Sequence, residues 1–171
     1  MNAIFYISAV VAVIATLLVV TRANAMHALL YLIVSLVAVA LVFFVLGAPF
    51  AAALEVIVYA GAIMVLFVFV IMMLNLGEDS AAGERKWLSA RAWAGPAALG
   101  AVLLIELAWI IARGVSTGPG AAVPPRQVAL ALYGPYVLGV ELASFLLLAG
   151  IVGAWHLGRR TGQDDSAKGE A

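Results

Sequence analysis

Polarity along the chain divides it into five long apolar blocks, at about 4–20, 26–46, 50–76, 93–112 and 136–157. Ile4 to Val20 holds 17 apolar or small residues, about 26 Å as a helix and the short end of a bilayer span. Thr21-Arg22-Ala23-Asn24 interrupts it, and Met26 to Leu46 then runs without charge apart from what His27 can acquire. Gly47-Ala48-Pro49 is a turn signal. The third block, Phe50 to Leu76, exceeds the roughly 20 residues a span needs, so it must tilt, kink or wind irregularly. No block alternates with period 2, which favours transmembrane helices over an outer-membrane barrel. The pattern predicts an all-α integral membrane bundle of five transmembrane helices over residues 1–157. A charged tail over 158–171 follows, with the composition of a disordered segment.

The polar stretches set the expected orientation. Gly77 to Ala92 carries Glu78, Asp79, Glu84, Arg85, Lys86 and Arg91 beside Trp87 and Trp93, a mixture suited to a membrane interface. Arg113 to Pro135 is rich in Gly and Pro and reads as an irregular loop with room for one short surface helix. Five spans put Arg22, Arg85, Lys86, Arg91, Arg159, Arg160 and Lys168 on one side and only Arg113 and Arg126 on the other. Positive charge favours the cytoplasm, so the amino terminus is expected outside and the carboxyl terminus inside. Ala23-Asn24-Ala25 has the small residues of a signal-cleavage site, but no Lys or Arg precedes the first block, so a retained span is expected. No repeat is visible, and five spans do not divide into the equal halves of an inverted-repeat transporter.

Composition then removes several chemistries. The chain is 66% hydrophobic and 11% charged, against roughly 45–50% apolar in a soluble domain. Nine basic residues balance nine acidic ones, so no net field draws it to nucleic acid. The absence of cysteine removes disulfides, thiol catalysis and cysteine ligation of iron–sulfur clusters. His27 and His156 both fall at helix ends, where interfacial roles suit them better than haem ligation. No nucleotide loop, Ser–His–Asp arrangement or metal-spaced cluster occurs.

Candidate chemistry lies inside the spans, where Glu55, Glu106 and Glu141 bring formal charge. Each is a few residues from the expected outer end of its helix, roughly 5–9 Å deep at 1.5 Å per residue. Keeping a free glutamic acid neutral at pH 7 costs about 3.7 kcal/mol. An ionised carboxylate at a helix centre costs about 2.5–3.5 kcal/mol on the insertion scale. The penalties are close, so hydration or nearby charge can switch such a group. Each glutamate can equally be an interfacial side chain reaching water or a neighbouring helix, the leading reading for Glu106.

Tyr59 follows Glu55 by four residues and shares its face on a regular helix. Its hydroxyl can donate one hydrogen bond and accept another, as a proton relay requires, or simply satisfy a neighbouring helix. Below it that face continues through Ala62, Leu66 and Met73, so the polar path stops. One residue inserted as a π-bulge would turn the following segment by about 100° and present other side chains. Gly61 lowers the steric obstacle to that change, or alternatively serves close helix packing. Glu141 lies in a fifth helix with small residues four apart at Gly139/Ala143, Ala149/Gly153 and Gly150/Ala154, a pattern suited to helix contact.

The run Val58-Tyr59-Ala60-Gly61-Ala62-Ile63-Met64-Val65-Leu66-Phe67-Val68-Phe69-Val70-Ile71-Met72-Met73-Leu74-Asn75 resembles the third helix of the subunit J family of bacterial NADH-quinone oxidoreductase, respiratory complex I. Met26-His27-Ala28-Leu29-Leu30-Tyr31-Leu32, Gly134-Pro135-Tyr136-Val137-Leu138 and Val140-Glu141-Leu142-Ala143-Ser144 resemble it too. The resemblance implies a membrane-arm subunit without its own redox centre, non-catalytic alone, in a complex that uses NADH, FMN, iron–sulfur clusters and quinone. It implies partners in the quinone-site, small three-helix and antiporter-like subunits, and a bacterial cytoplasmic (inner) membrane location. It also implies a π-bulge in helix three over Tyr59 to Val65, whose conversion to regular helix makes or breaks a water path for proton translocation. Tyr59, Gly61 and Val65 match that motif directly; Glu55 lies beside it and Glu106 matches no assigned position. Two other readings stand beside this one: a self-contained proton channel or carrier using Glu55, Tyr59 and Glu141, and a purely structural scaffold.

Overall fold

The computed structural model describes residues 2–74, 90–113 and 122–159. The helices are α1 (Asn2–Thr21), α2 (Ala25–Val45), α3 (Pro49–Leu54), a π-helix π1 (Glu55–Ile63), α4 (Met64–Leu74), α5 (Ala90–Arg113), α6 (Pro125–Leu132) and α7 (Val137–Arg159). Among the described residues there is no strand. Among the described residues five helices are long and apolar enough to cross a membrane, with α3, π1 and α4 together making the third. The short surface helix expected between the fourth and fifth spans is α6. The expected 158–171 tail begins with Gly158 and Arg159 inside α7, and its remainder lies outside the described residues.

Two compact units are formed, Met1–Pro124 and Pro125–Ala171. In the first, α2 is the centre: it packs along α1 and also touches α3, π1, α4 and α5, while α5 reaches α1 as well. Val11, Ala38, Leu41, Leu103 and Ile110 form the buried cluster, drawn from α1, α2 and α5. Small residues let the helices approach in the absence of a strong hydrophobic drive within lipid. Ala15 and Ala38 are fully buried accordingly.

Local chemistry sets the start of α2 and the turn from α2 into α3. The Asn24 side chain accepts hydrogen bonds from the Met26 and His27 amides at 2.9 and 3.2 Å, capping α2. Gly47 adopts φ +90°, the left-handed conformation that glycine reaches without a steric penalty. The Gly47 and Ala48 amides return to Phe44 and Phe43 carbonyls, and Pro49 opens α3 where its missing N–H costs nothing. The Gly47 carbonyl in turn accepts from the Val123 amide at 2.9 Å, tying the 122–124 stretch to this turn.

On α5 the inward stripe is Pro96, Leu103, Glu106 and Ile110, a helical period with a carboxyl group in the middle. Gly95 lies against the Tyr31 ring of α2, so close that a Cβ there would overlap the Tyr31 hydroxyl. Tyr31 is 3% exposed, and Arg22 stacks over its ring at 5.4 Å from the centroid.

Candidate functional site

The irregular winding demanded by the length of the third block is a π-helix. It spans nine residues, Glu55–Ile63, and hands over to α4 through the Met64 amide, which bonds the Tyr59 carbonyl five residues back. The family resemblance implied a bulge over Tyr59 to Val65; π winding begins four residues earlier, and Val65 lies in the regular helix that follows. Glu55 and Tyr59 are therefore in one π-segment and still share a face, because the wider π turn holds only slightly more than the four residues that separate them.

Glycine permits the tight part of this segment. A Cβ on Gly61 would stand 3.2 Å from the Val56 carbonyl oxygen, the atom five residues back. No residue of π1 is buried. Glu55 is half-buried, Tyr59 is 49% exposed and Val65 is exposed, so this face is turned away from the chain's own core. On another side, Val56 and Ile57 join Val37, Leu41, Ala53 and Leu103 in lining an apolar groove of about 650 Å³. Any change in the winding of π1 alters a wall of that groove.

Glu141 is exposed on α7, in the second compact unit. One turn further on, the Ser144 hydroxyl donates to the Val140 carbonyl of its own helix at 3.0 Å. Of the two partners expected for Glu106, water or a neighbouring helix, it takes the helix. It is 7% exposed, and its Oε2 accepts the Ser8 hydroxyl of α1 at 2.8 Å, while Oε1 is buried without a hydrogen-bond partner. A carboxyl on the inward stripe of α5 has to meet α1 in place of water.

A second polar contact lies lower on α1. Thr16 and Ser35 hydroxyls are 2.8 Å apart, and both approach the Ala12 carbonyl, at 2.8 and 3.2 Å. In the sequence Ser8, Thr16 and Ser35 read only as small residues within apolar blocks. The available signal was spacing: Ser8 and Thr16 are eight apart and so share one face of α1. Among the described residues no group of three or more His, Cys, Asp or Glu could hold a metal.

These helices define an all-α integral membrane protein with a π-helix built into its third span and a buried carboxyl between its first and fourth. Comparison with known sequences narrows the class: the chain belongs to the family of NADH-ubiquinone/plastoquinone oxidoreductase chain 6, which matches residues 15–157. It is 60% identical over 159 residues to NADH-quinone oxidoreductase subunit J of Pseudomonas aeruginosa, covering 91% of this chain and 95% of that one. Against the subunit J of Escherichia coli strain K12 the identity is 54% over 173 aligned positions, 96% and 94% of the two chains. The subunit J of Buchnera aphidicola subsp. Schizaphis graminum is 45% identical over 160 residues, 93% and 98% of the two.

Proposed function

We propose that this chain is a membrane-arm subunit of a proton-translocating NADH-quinone oxidoreductase, without a redox centre of its own, that couples quinone reduction to proton movement. The observation that carries this reading is a nine-residue π-helix at Glu55–Ile63 with no residue buried in the chain's own core. An apolar helix with its phenol exposed and its carboxylate only half-buried suits a seam completed by another subunit. Glu55 and Tyr59 supply the polar half of a path, Gly61 makes the winding adjustable, and Val65 starts the apolar half. Conversion of π1 to regular helix turns the segment after it and breaks the path; the reverse conversion restores it. Glu141 is placed at a further subunit contact.

The partners are the quinone-site, small three-helix and antiporter-like subunits of the complex, whose cofactors are NADH, FMN, iron–sulfur clusters and quinone. The location is the bacterial cytoplasmic membrane, with the amino terminus outside and the carboxyl terminus in the cytoplasm. Affinity purification of the tagged chain in mild detergent tests this reading. The eluate is expected to carry NADH:quinone reductase activity, flavin and iron. A lone, cofactor-free chain from an undissociated membrane preparation would overturn it and put the self-contained proton carrier first.

A further inference from the structure

Glu106 is used by nothing above, and it is the most deeply buried carboxyl among the described residues. We propose that Glu106 is a proton-binding site in the seam between α1 and α5, standing there as a neutral carboxylic acid whose Oε2 accepts the Ser8 hydroxyl and whose Oε1 carries the hydrogen. This site is separate from the π-helix and does not depend on the role proposed for it.

The surroundings decide the protonation state. Glu106 lies between Leu103 and Ile110 on α5, and Ser8, itself 0% exposed, lies beside Val11 on α1. An ionised carboxylate has about four acceptor positions to satisfy, and the seam offers one donor. Among the described residues, the groups that could offset its charge are elsewhere. On α1 the titratable side chain is Tyr6, which is exposed. On α2 they are His27 and Tyr31; Tyr31 meets α5 at Gly95, roughly 16 Å along the axis from Glu106. On α5, Arg113 stacks over Trp109 at 4.1 Å from the ring centroid, two turns further on. Glu55 and Tyr59 belong to π1, which packs on α2. An unpartnered neutral hydroxyl forfeits one hydrogen bond, whereas an unpartnered charged oxygen forfeits the solvation of a charge.

The test uses membranes containing the assembled oxidoreductase and dicyclohexylcarbodiimide, which adds to a protonated carboxyl and rearranges to a stable N-acylurea. Trypsin releases Ala92 to Arg113, in which Glu106 is the sole acidic side chain, so mass spectrometry reads the adduct directly. The expected adduct yield stays within about twofold as the medium goes from neutral to mildly alkaline, and the adduct is absent in Glu106→Gln. A yield that falls about tenfold for each pH unit above neutrality, as for an ordinary glutamate, overturns the proposal. If the seam excludes the reagent at every pH, heat inactivation of Glu106→Gln decides. The amide reproduces a neutral acid beside Ser8, so a half-life within about twofold of the parent supports the site. A change of about tenfold in either direction overturns it, since it would mean that a charge had been lost or relieved.

Discussion

Gly61 and Glu106 show how one atom's surroundings set what a residue can do. At Gly61 the missing Cβ leaves 3.2 Å to the Val56 carbonyl, tighter than ordinary contact and specific to the π winding that brings residues five apart together. A β-branched side chain there crowds the π form and biases the segment toward regular helix. Gly61→Val is therefore expected to leave the oxidoreductase assembled while lowering proton pumping per NADH oxidised, measured in proteoliposomes. Normal pumping by the assembled variant would sink the gating role. Glu106 differs from Glu55 in burial and not in residue type: one has an apolar seam and a single serine, the other a half-exposed face.

Between elements, the clearest constraint is the approach of α5 to α2. Tyr31 is buried, with Arg22 over its ring and its hydroxyl against the bare backbone at Gly95. Gly95→Ala is expected to cost about 1–3 kcal/mol of stability, as overpacking of a tight contact does. Thermal inactivation of the complex would read it. Tyr31→Phe removes the overlapping hydroxyl, so the double variant should recover part of the loss, with a coupling of about 0.5–3 kcal/mol. Strictly additive effects would show that the two residues do not meet in the membrane. Helix winding belongs to this scale too: α3, π1 and α4 are one span whose length the sequence displays and whose local winding it does not.

For the whole molecule, orientation and isolation are the measurable properties. The chain has no cysteine, so single cysteines can be introduced without background. With the proposed orientation, Arg126→Cys is expected to react with a membrane-impermeant maleimide from outside intact cells, and Lys168→Cys only after permeabilisation. The opposite pattern would invert the topology. Large apolar side chains are exposed along α1, α4, α5 and α7, for example Leu17, Met73, Ile105 and Leu146. Lipid covers such surfaces, and so do neighbouring subunits; the purification described above distinguishes a chain that needs only lipid from one that arrives with partners.

The sequence by itself determined the number of spans, because twenty-residue apolar blocks have no other stable use and every backbone group in lipid must bond within its own helix. It also placed the turn at Gly47-Ala48-Pro49, where local backbone preference is decisive, and the third-helix motif that marks the family. Tertiary structure decided the rest. The start of the π-helix at Glu55, four residues before the expected bulge, is a matter of hydrogen-bond register, which side-chain pattern leaves open. The fate of Glu106 depended on which face of α5 met α1. Periodicity names a stripe of positions but not the partner across it, so whether a glutamate on that stripe reaches water or a neighbouring helix stays open until Ser8 appears opposite.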